Sequence, residues 1–309
     1  MTRILVTGAA GMVGRALIGA LPMENLVATD LDRGVLPEGV AFRRMDVTGD
    51  DPDGVIGEVR PDVVVHLASI VTPPPGMTRE QAFAVDVTGT RNVLDACIRH
   101  GVRRIVVTSS GAAYGYHPDN PVPLTEDAPV RGNPEFAYAD HKRQVEEMLA
   151  RARTDHPALE QVVLRVGTVL GAGVENQITA LFHRPRLLAI RGADSPFVFI
   201  WTRDLARIVE RAATDGPAGI YNVAGDGWLT VDDLARQLGK PLLRLPAWLL
   251  KAVLAVAHPL GLIQYGPEQV RFLQYRPVLA NERLKSVFGY GPELSSAEVF
   301  ALWRKEAGL

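Results

Sequence analysis

The sequence predicts an α/β protein built on a doubly wound parallel sheet, with a smaller, discontinuous C-terminal substrate domain. Three observations predict it. Short β-branched runs alternate with helix-length amphipathic stretches through the first half of the chain. The first run opens directly into a glycine-rich turn, and the alternation weakens after Gly171. Near-continuous Val, Ile and Leu strands separated by helices indicate βαβ units, their parallel strands covered on both faces. Right-handed crossovers then place helices on both sides of one sheet.

Taken in order, the expected strands are Ile4–Thr7, Leu26–Thr29, Ala41–Arg44, Val63–His66, Ile105–Thr108 and Val162–Val166. Helices are expected at Met12–Leu21, Arg79–Arg99 and Tyr138–Arg153. Val71–Gly76, with three consecutive prolines, and His117–Pro134 read as loops. Past Gly171 the chain becomes mixed helix and loop, except that Arg203–Ala213 is a good helix and Gly219–Val223 a strand returning to the sheet. This divides the chain into a nucleotide-binding domain, 1–170 with 197–224, and a substrate-binding domain, 171–196 with 225–309.

The bulk numbers agree and exclude several classes. A length of 309 residues suits about two domains. Lys and Arg number 33 against 35 Asp and Glu, a net charge of −2, which argues against a polyanion-binding face and a nucleic-acid partner. Hydrophobic residues at 47% and charged residues at 22% describe a soluble globule and exclude disorder, coiled coil and collagen. Cys97 stands alone, so no internal disulfide or cysteine-rich metal site is expected, and its apolar helix makes it a small core residue. Seven histidines show no H-E-x-x-H spacing, so no metal is expected. No G-x-S-x-G elbow marks a hydrolase nucleophile.

No charged segment followed by a long apolar stretch opens the chain. The nearest approach to a membrane segment, Leu245–Ile263, is broken by Pro246, Lys251, His258 and Pro259, short of the roughly 20 uninterrupted apolar residues a span needs. It reads as a packed helix of the substrate domain; the alternatives are a wall for a hydrophobic substrate or a contact with another subunit. A cytoplasmic protein without a membrane partner is expected.

The residues that carry chemistry begin at the first turn, Thr7-Gly8-Ala9-Ala10-Gly11-Met12-Val13-Gly14. Glycines at 8, 11 and 14 allow a tight turn, close approach of a ligand to the backbone and close helix–strand packing. The helix N-terminus offers free N–H groups and a positive dipole end to a pyrophosphate. Such a turn can be purely structural, but in the first strand-to-helix turn of a βαβ chain it points to a dinucleotide. Asp30 ends the second strand, where a carboxylate accepts from both ribose hydroxyls and repels a 2′-phosphate, favouring NAD; Arg33 nearby leaves room for NADP. Asp46-Val47 either borders the adenine or caps a turn.

Tyr138-Ala139-Asp140-His141-Lys142 places a lysine four residues from a tyrosine, on one helix face. A neighbouring ammonium favours the phenolate and suits the phenol to proton transfer. Ser110 follows the fifth strand at its carboxyl end, where ligands bind in such sheets, and can hydrogen-bond a substrate hydroxyl or carbonyl. His66 is a strand-end residue along the cofactor site, and His141 is expected to face outward.

Together these residues resemble the extended short-chain dehydrogenase/reductase family, the group of NAD-dependent sugar epimerases and dehydratases with a Rossmann sheet. The resemblance spans essentially the whole chain. It rests on TGAAGMVG (7–14), Asp30, Asp46-Val47, HLAS (66–69), DVTGTRNVLDA (86–96), VVTSSGAAYG (106–115), YADHK (138–142), LRVGTVLG (164–171), Arg203-Asp204-Leu205-Ala206 and YNVAG (221–225). It implies Tyr138 as catalytic acid/base, Lys142 as its partner and ribose ligand, and Ser110 as the substrate-orienting hydroxyl. Gly8, Ala10, Gly11, Met12, Val13, Gly14, Leu67 and Ala68 then line the NAD site, Ser109 precedes the catalytic position, and Asn92 belongs to a helix supporting the active site. It also implies a homodimer packed through Arg79–Arg99 and Tyr138–Arg153.

Departures from the family pattern bear on the substrate, for which Thr168, Phe197 and Trp201 are candidate contacts. Thr168 replaces a usual Asn, and Phe197 stands where an Arg often holds a diphosphate. That loss removes a charge-assisted contact; Arg184, Arg186 and Arg191 lie nearby but read as solvated. Asp86 replaces the asparagine of the family's N-V-x-G-T. The expected activity is therefore NAD-dependent hydride transfer at a secondary alcohol or ketone carbon. The alternatives are a nucleotide-sugar epimerase or dehydratase that returns the hydride internally, and a non-catalytic NAD(P)-sensing protein.

Overall fold

The structure is a computed structural model and describes residues 2–261, 263 and 266–309. Its central sheet contains β1 (Ile4–Thr7), β2 (Leu26–Asp30), β3 (Ala41–Arg44), β4 (Val63–His66), β5 (Arg104–Ser110), β6 (Glu160–Val166) and β10 (Gly219–Val223). These seven lie in the order β10-β6-β5-β4-β1-β2-β3, every neighbouring pair parallel. All residues of β1 and β4 are buried, as their unbroken Ile, Leu and Val content requires of strands covered twice. The edge strand β3 exposes Arg43 and Arg44, charges that discourage edge-to-edge pairing.

The strand order reverses between β1 and β4, and the ends of these two strands flank the crevice where such sheets bind ligands. Helices α1 (Met12–Ile18) and α7 (Thr202–Ala213) cover one face, burying Leu17, Ile18, Leu205, Ile208 and Val209 against the strands. The other face carries α2 (Asp51–Val59), α4 (Gly89–Arg99) and α5 (Ala137–Asp155), which bury Ile56, Val93, Leu94, Val145 and Leu149. Cys97 is buried in that core, and burial pushes its thiol up, as a packing residue requires.

The strands fall where the sequence places them, with β2, β5 and β6 longer than expected. β5 runs on through Ser109 and Ser110 because they pair with Arg165 and Val166 of β6. The expected helix 12–21 stops at Ile18, where Gly19 takes the C-cap. The long helix over 79–99 is present but composite: α3 (Arg79–Phe83), a π-helical turn at Ala84–Thr88, then α4. Such turns are single extra-residue bulges that often fall at functional sites.

A second apolar cluster lies beyond the sheet. It draws on the parallel pair β7 (Thr168–Leu170) with β9 (Phe199–Trp201), and on α6 (Gln177–Phe182), α8 (Val231–Leu238) and α12 (Ser296–Glu306). Phe182, Phe197, Phe199, Phe300 and Trp303 form its centre, Phe182 and Phe300 meeting edge-on at 5.2 Å. At its rim β8 (Leu187–Ile190) pairs in parallel with β11 (Leu242–Leu245). Arg184, Arg186 and Arg191 are exposed there, as expected.

The apolar stretch 245–263 departs from expectation. Its helix, α9 (Ala247–Ala257), buries only Leu250, while Trp248 is 71% and Val256 63% exposed. The reason is its placement at the rim. One row of side chains, including Ala247, Leu250 and Leu254, meets Ile190, Val270 and Leu273, and no element among the described residues covers the opposite row. Leu262 of this stretch lies outside the described residues.

Buried ion pairing locks α5 to the sheet. Arg165 of β6 holds both carboxylate oxygens of Glu146 at 2.6–3.0 Å, and its other amino group donates to Tyr114 Oη (2.7 Å) and the Glu126 carbonyl (3.0 Å). Ser109 Oγ donates to Glu146 as well, at 2.5 Å. Removing one partner strands a charge in the core, so Arg165→Leu is expected to destabilise the protein by about 3–5 kcal/mol in urea unfolding. A loss below about 1 kcal/mol would show that the pair does not carry this junction.

Candidate active site

The glycine turn after β1 is forced by close backbone approach. Gly8 has φ +65°, and a Cβ there would lie 2.6 Å from the Ala68 nitrogen; a Cβ on Gly14 would lie 2.5 Å from the Ala9 carbonyl. Gly11 is the N-cap of α1 in extended backbone without a side-chain cap, so the amides of Met12, Val13 and Gly14 face outward at a positive helix end. Thr7 Oγ1 ties this turn to the end of β4, accepting from the amides of Leu67 and Ala68 at 3.2 and 3.3 Å. His66 locks the same junction through Thr7 Oγ1 (2.8 Å) and Thr90 Oγ1 (3.0 Å).

Asp30 is drawn to the turn, its carboxylate accepting from the amides of Ala10 (3.0 Å) and Leu31 (2.8 Å). Arg33 is committed elsewhere, donating to the carbonyls of Val40 and Pro37. Asp46 caps its own turn: Thr48 donates to it through both amide and hydroxyl, and these bonds hold its carboxyl below the usual range. Val47 is buried against Gly89. Asn92 supports this loop and not the catalytic end, donating to the carbonyls of Val47 (2.9 Å) and Gly49 (3.1 Å). An outward-facing helix terminus, a carboxylate beside it and close backbone approach fit a dinucleotide.

At the other end of the crevice, Lys142 is buried and directed by two acceptors, Ser69 Oγ and the Thr108 carbonyl, both at 3.1 Å. Its ammonium lies 5.6 Å from the centre of the half-buried Tyr138 ring. Ser110 ends β5, accepts from the Ala112 amide at 3.1 Å and starts the short helical turn Gly111–Tyr114, which packs on α5. Ser109, one residue earlier, points the other way into the Glu146 ion pair.

His141 does not face outward. It is fully buried, its Nδ1 2.9 Å from Asp86 in the π-helical turn, with the Phe83 ring edge-on at 5.4 Å. The outward reading fails because α3 and the π turn cross that face of α5, which local periodicity does not reveal. Asp86 also accepts from Ser69 Oγ and the Ile70 amide, each at 2.8 Å. Burial alone would raise the Asp86 carboxyl; bonds from His141, Ile70 and Ser69 and the charge of Lys142 hold it below the usual range. Asp86, Ser69 and Lys142 therefore form one connected chain ending beside Tyr138. The sequence carried the signal, since Asp86 and His141 sit inside recognisable motifs, but only the fold makes them a pair.

Of the three substrate candidates, Phe197 is buried in the second cluster, stacked on Phe199 at 5.9 Å. Trp201 packs at the edge of that cluster with the Arg203 guanidinium 5.0 Å from its ring centre. Thr168 is half-buried at the start of β7. Sequence reasoning missed Arg276. Its guanidinium lies 3.9 Å from the centre of the Phe197 ring and 4.5 Å from that of Phe272, and its Nε and Nη1 are buried without a hydrogen-bond partner among the described residues. Phe272 meets Tyr116 edge-on at 5.3 Å, and Tyr116, Phe272 and Tyr138 share one aromatic cluster. Burial pushes the Arg276 guanidinium down to about 9, which leaves it charged at neutral pH.

Fold and site together define an NAD-binding α/β enzyme with a Tyr–Lys pair at the carboxyl end of its sheet. The family model for the NAD dependent epimerase/dehydratase family matches residues 4–224, and the chain belongs to that family of NAD-dependent enzymes. A UDP-glucose 4-epimerase of Mycolicibacterium smegmatis is 34% identical over 97% of this chain and 96% of its own length. An uncharacterized protein of Mycobacterium tuberculosis is 25% identical over 99% of this chain and 84% of its own. Among solved structures, the UDP-glucose 4-epimerase of Thermotoga maritima with UDP-glucose superposes at TM-score 0.76 with 20% identity, covering 99% of this chain and 98% of that one. The UDP-glucose 4-epimerase of Thermus thermophilus with NAD gives 0.72 at 24% identity, covering 98% of each.

Two measurements check this geometry. Burial, aided by the Lys142 charge, pushes His66 down to about 3, whereas the unfolded ring takes up a proton near pH 6.5. The unfolded state thus binds more protons below that pH, so stability is full above it and falls as pH drops towards about 3. Between about pH 7 and pH 5 the loss is expected to be about 2 kcal/mol in urea unfolding, and His66→Gln flattens it. Asp30 repels a 2′-phosphate, so NAD is expected to raise the melting temperature more than NADP at equal concentration. A larger shift with NADP would remove Asp30 from the ribose.

Proposed function

We propose that this protein is a nucleotide-sugar epimerase or dehydratase whose hydride is returned within the site, in preference to a net dehydrogenase. One observation carries the substrate class. Arg276 is a buried, charged guanidinium with donors unspent, one aromatic layer from Tyr138 and directly over Phe197. An unpaired buried charge is costly, and a diphosphate entering the crevice would satisfy it. The Arg expected at position 197 is thus replaced in space by one from a different segment. The relatives' substrates, UDP-glucose in the Thermotoga enzyme, agree with this class.

Ser110 orients the reacting hydroxyl, and Tyr138 takes its proton through the phenol oxygen. Lys142, held by Ser69 and the Thr108 carbonyl, stabilises negative charge on that oxygen. NAD, held by the glycine turn after β1 with Asp30 beside it, would supply the hydride acceptor and donor at the carbinol carbon. Tyr138 then returns the proton, so no reductant leaves the site. The division into a nucleotide domain and a substrate domain, a cytoplasmic location and a homodimer through the two long helices belong to this proposal; light scattering tests the dimer.

The test is product analysis on a panel of UDP-sugars with bound or added NAD. Conversion to an epimer or a dehydrated sugar without net NADH is expected. Tyr138→Phe should abolish it, and Arg276→Leu should raise KM roughly tenfold to a hundredfold with a smaller effect on kcat. Release of a keto product with stoichiometric NADH would instead make the protein a dehydrogenase.

A further inference from the structure

The helix α9 is apolar on both of its faces. Its inner row packs on Ile190, Val270 and Leu273, and its outer row presents Trp248, Val253 and Val256, which are 71%, 52% and 63% exposed. Leu260 just beyond the helix is 66% exposed, and Leu243 on β11 43%. Lys251 is the one charged residue within α9. A helix apolar all round is normally enclosed by protein or lipid, and a continuous exposed apolar patch marks a docking surface.

The charge around this patch decides what docks. From Leu234 to Pro267 the chain holds no Asp or Glu but has Arg236, Lys240, Arg244 and Lys251. From Asn176 to Ala193 it again holds no acid and has Arg184, Arg186 and Arg191, all three exposed. The parallel pairing of β8 with β11 sets these two basic segments side by side beneath α9. Asp232 and Asp233 of α8 pair with Arg244 and Arg236, so those two cations are offset and the basic character of the rim rests on Lys240, Lys251, Arg184, Arg186 and Arg191. Glu268 folds back onto the Gly266 amide, and Arg271 of α10 (Gln269–Gln274), which packs against α9, is paired with Glu135. Asp194 stands exposed at the end of the β8 segment.

We infer that α9 and the β8–β11 rim form a docking surface for an anionic lipid bilayer, with Trp248, Val253, Val256 and Leu260 entering the headgroup–acyl boundary and the basic rim facing the headgroups. An apolar face flanked by Lys and Arg with a Trp is the pattern of an interfacial helix, and each basic group adds attraction to an anionic leaflet. A second copy of the chain is disfavoured because two such rims would oppose like charge. No helix among the described residues is long and apolar enough to cross a membrane, so the attachment is peripheral. This surface lies outside the catalytic groups, and the inference does not depend on the substrate.

The experiment is co-sedimentation of the full chain with vesicles of phosphatidylcholine alone and of phosphatidylcholine mixed with phosphatidylglycerol. Retention on the mixed vesicles, weakened by salt and accompanied by a blue shift in tryptophan emission that Trp248→Phe removes, is expected. The double variant Val253→Ser/Val256→Ser should lower retention roughly tenfold while keeping the wild-type melting temperature. Arg191→Glu, which leaves the apolar row intact, should lower it only on the anionic vesicles. Three outcomes would overturn the inference: no retention on mixed vesicles, equal retention on neutral ones, or a dimer in solution that the double variant splits without any vesicle binding.

Discussion

The buried pair between Arg165 and Glu146 is the constraint on which the site depends. It joins the sixth strand of the sheet to the helix that carries Tyr138 and Lys142, and it draws in Ser109 and Tyr114 from either end of the segment containing Ser110. Tyr114 passes the contact on to Asn222 of β10, whose amide is held in turn by Glu126. Two charges in a core are not a cheap source of stability. Their value here is geometric, since a bidentate guanidinium–carboxylate contact admits little rotation and fixes the register of α5 on the sheet.

A second network sits across α5 from the first. Asp86, which stands where the family usually has asparagine, contacts His141. Through Ser69, Asp86 also reaches Lys142, so the ammonium near Tyr138 is held by a neutral hydroxyl backed by a buried carboxylate. The π-helical turn at Ala84–Thr88 is what brings Asp86 to that depth. Lys142 is thereby fixed from two sides, by β5 through the Thr108 carbonyl and by the composite helix through Asp86 and Ser69.

Arg276 and the exposed helix α9 both lie in the C-terminal part, where periodic patterns are weakest. Arg276 reaches the Phe197 ring from a segment roughly eighty residues later in the chain. The apolar stretch after Leu245 was expected inside; it lies at the rim because the second cluster is already filled by its own aromatic rings. In both places composition was legible and position was not.

The sequence by itself determined the sheet, its parallel strands and the glycine turn, because these follow from local alternation and from backbone geometry that only glycine can adopt. It also placed Tyr138 and Lys142 on one helical face, a consequence of the four-residue spacing alone. Only the tertiary structure decided that His141 is buried on Asp86, that Asn92 supports the loop after β3, that Arg276 stands over Phe197, and that α9 is exposed. Each of these depends on a contact between residues far apart in the chain, and no local period records which distant side chain will arrive opposite a given face.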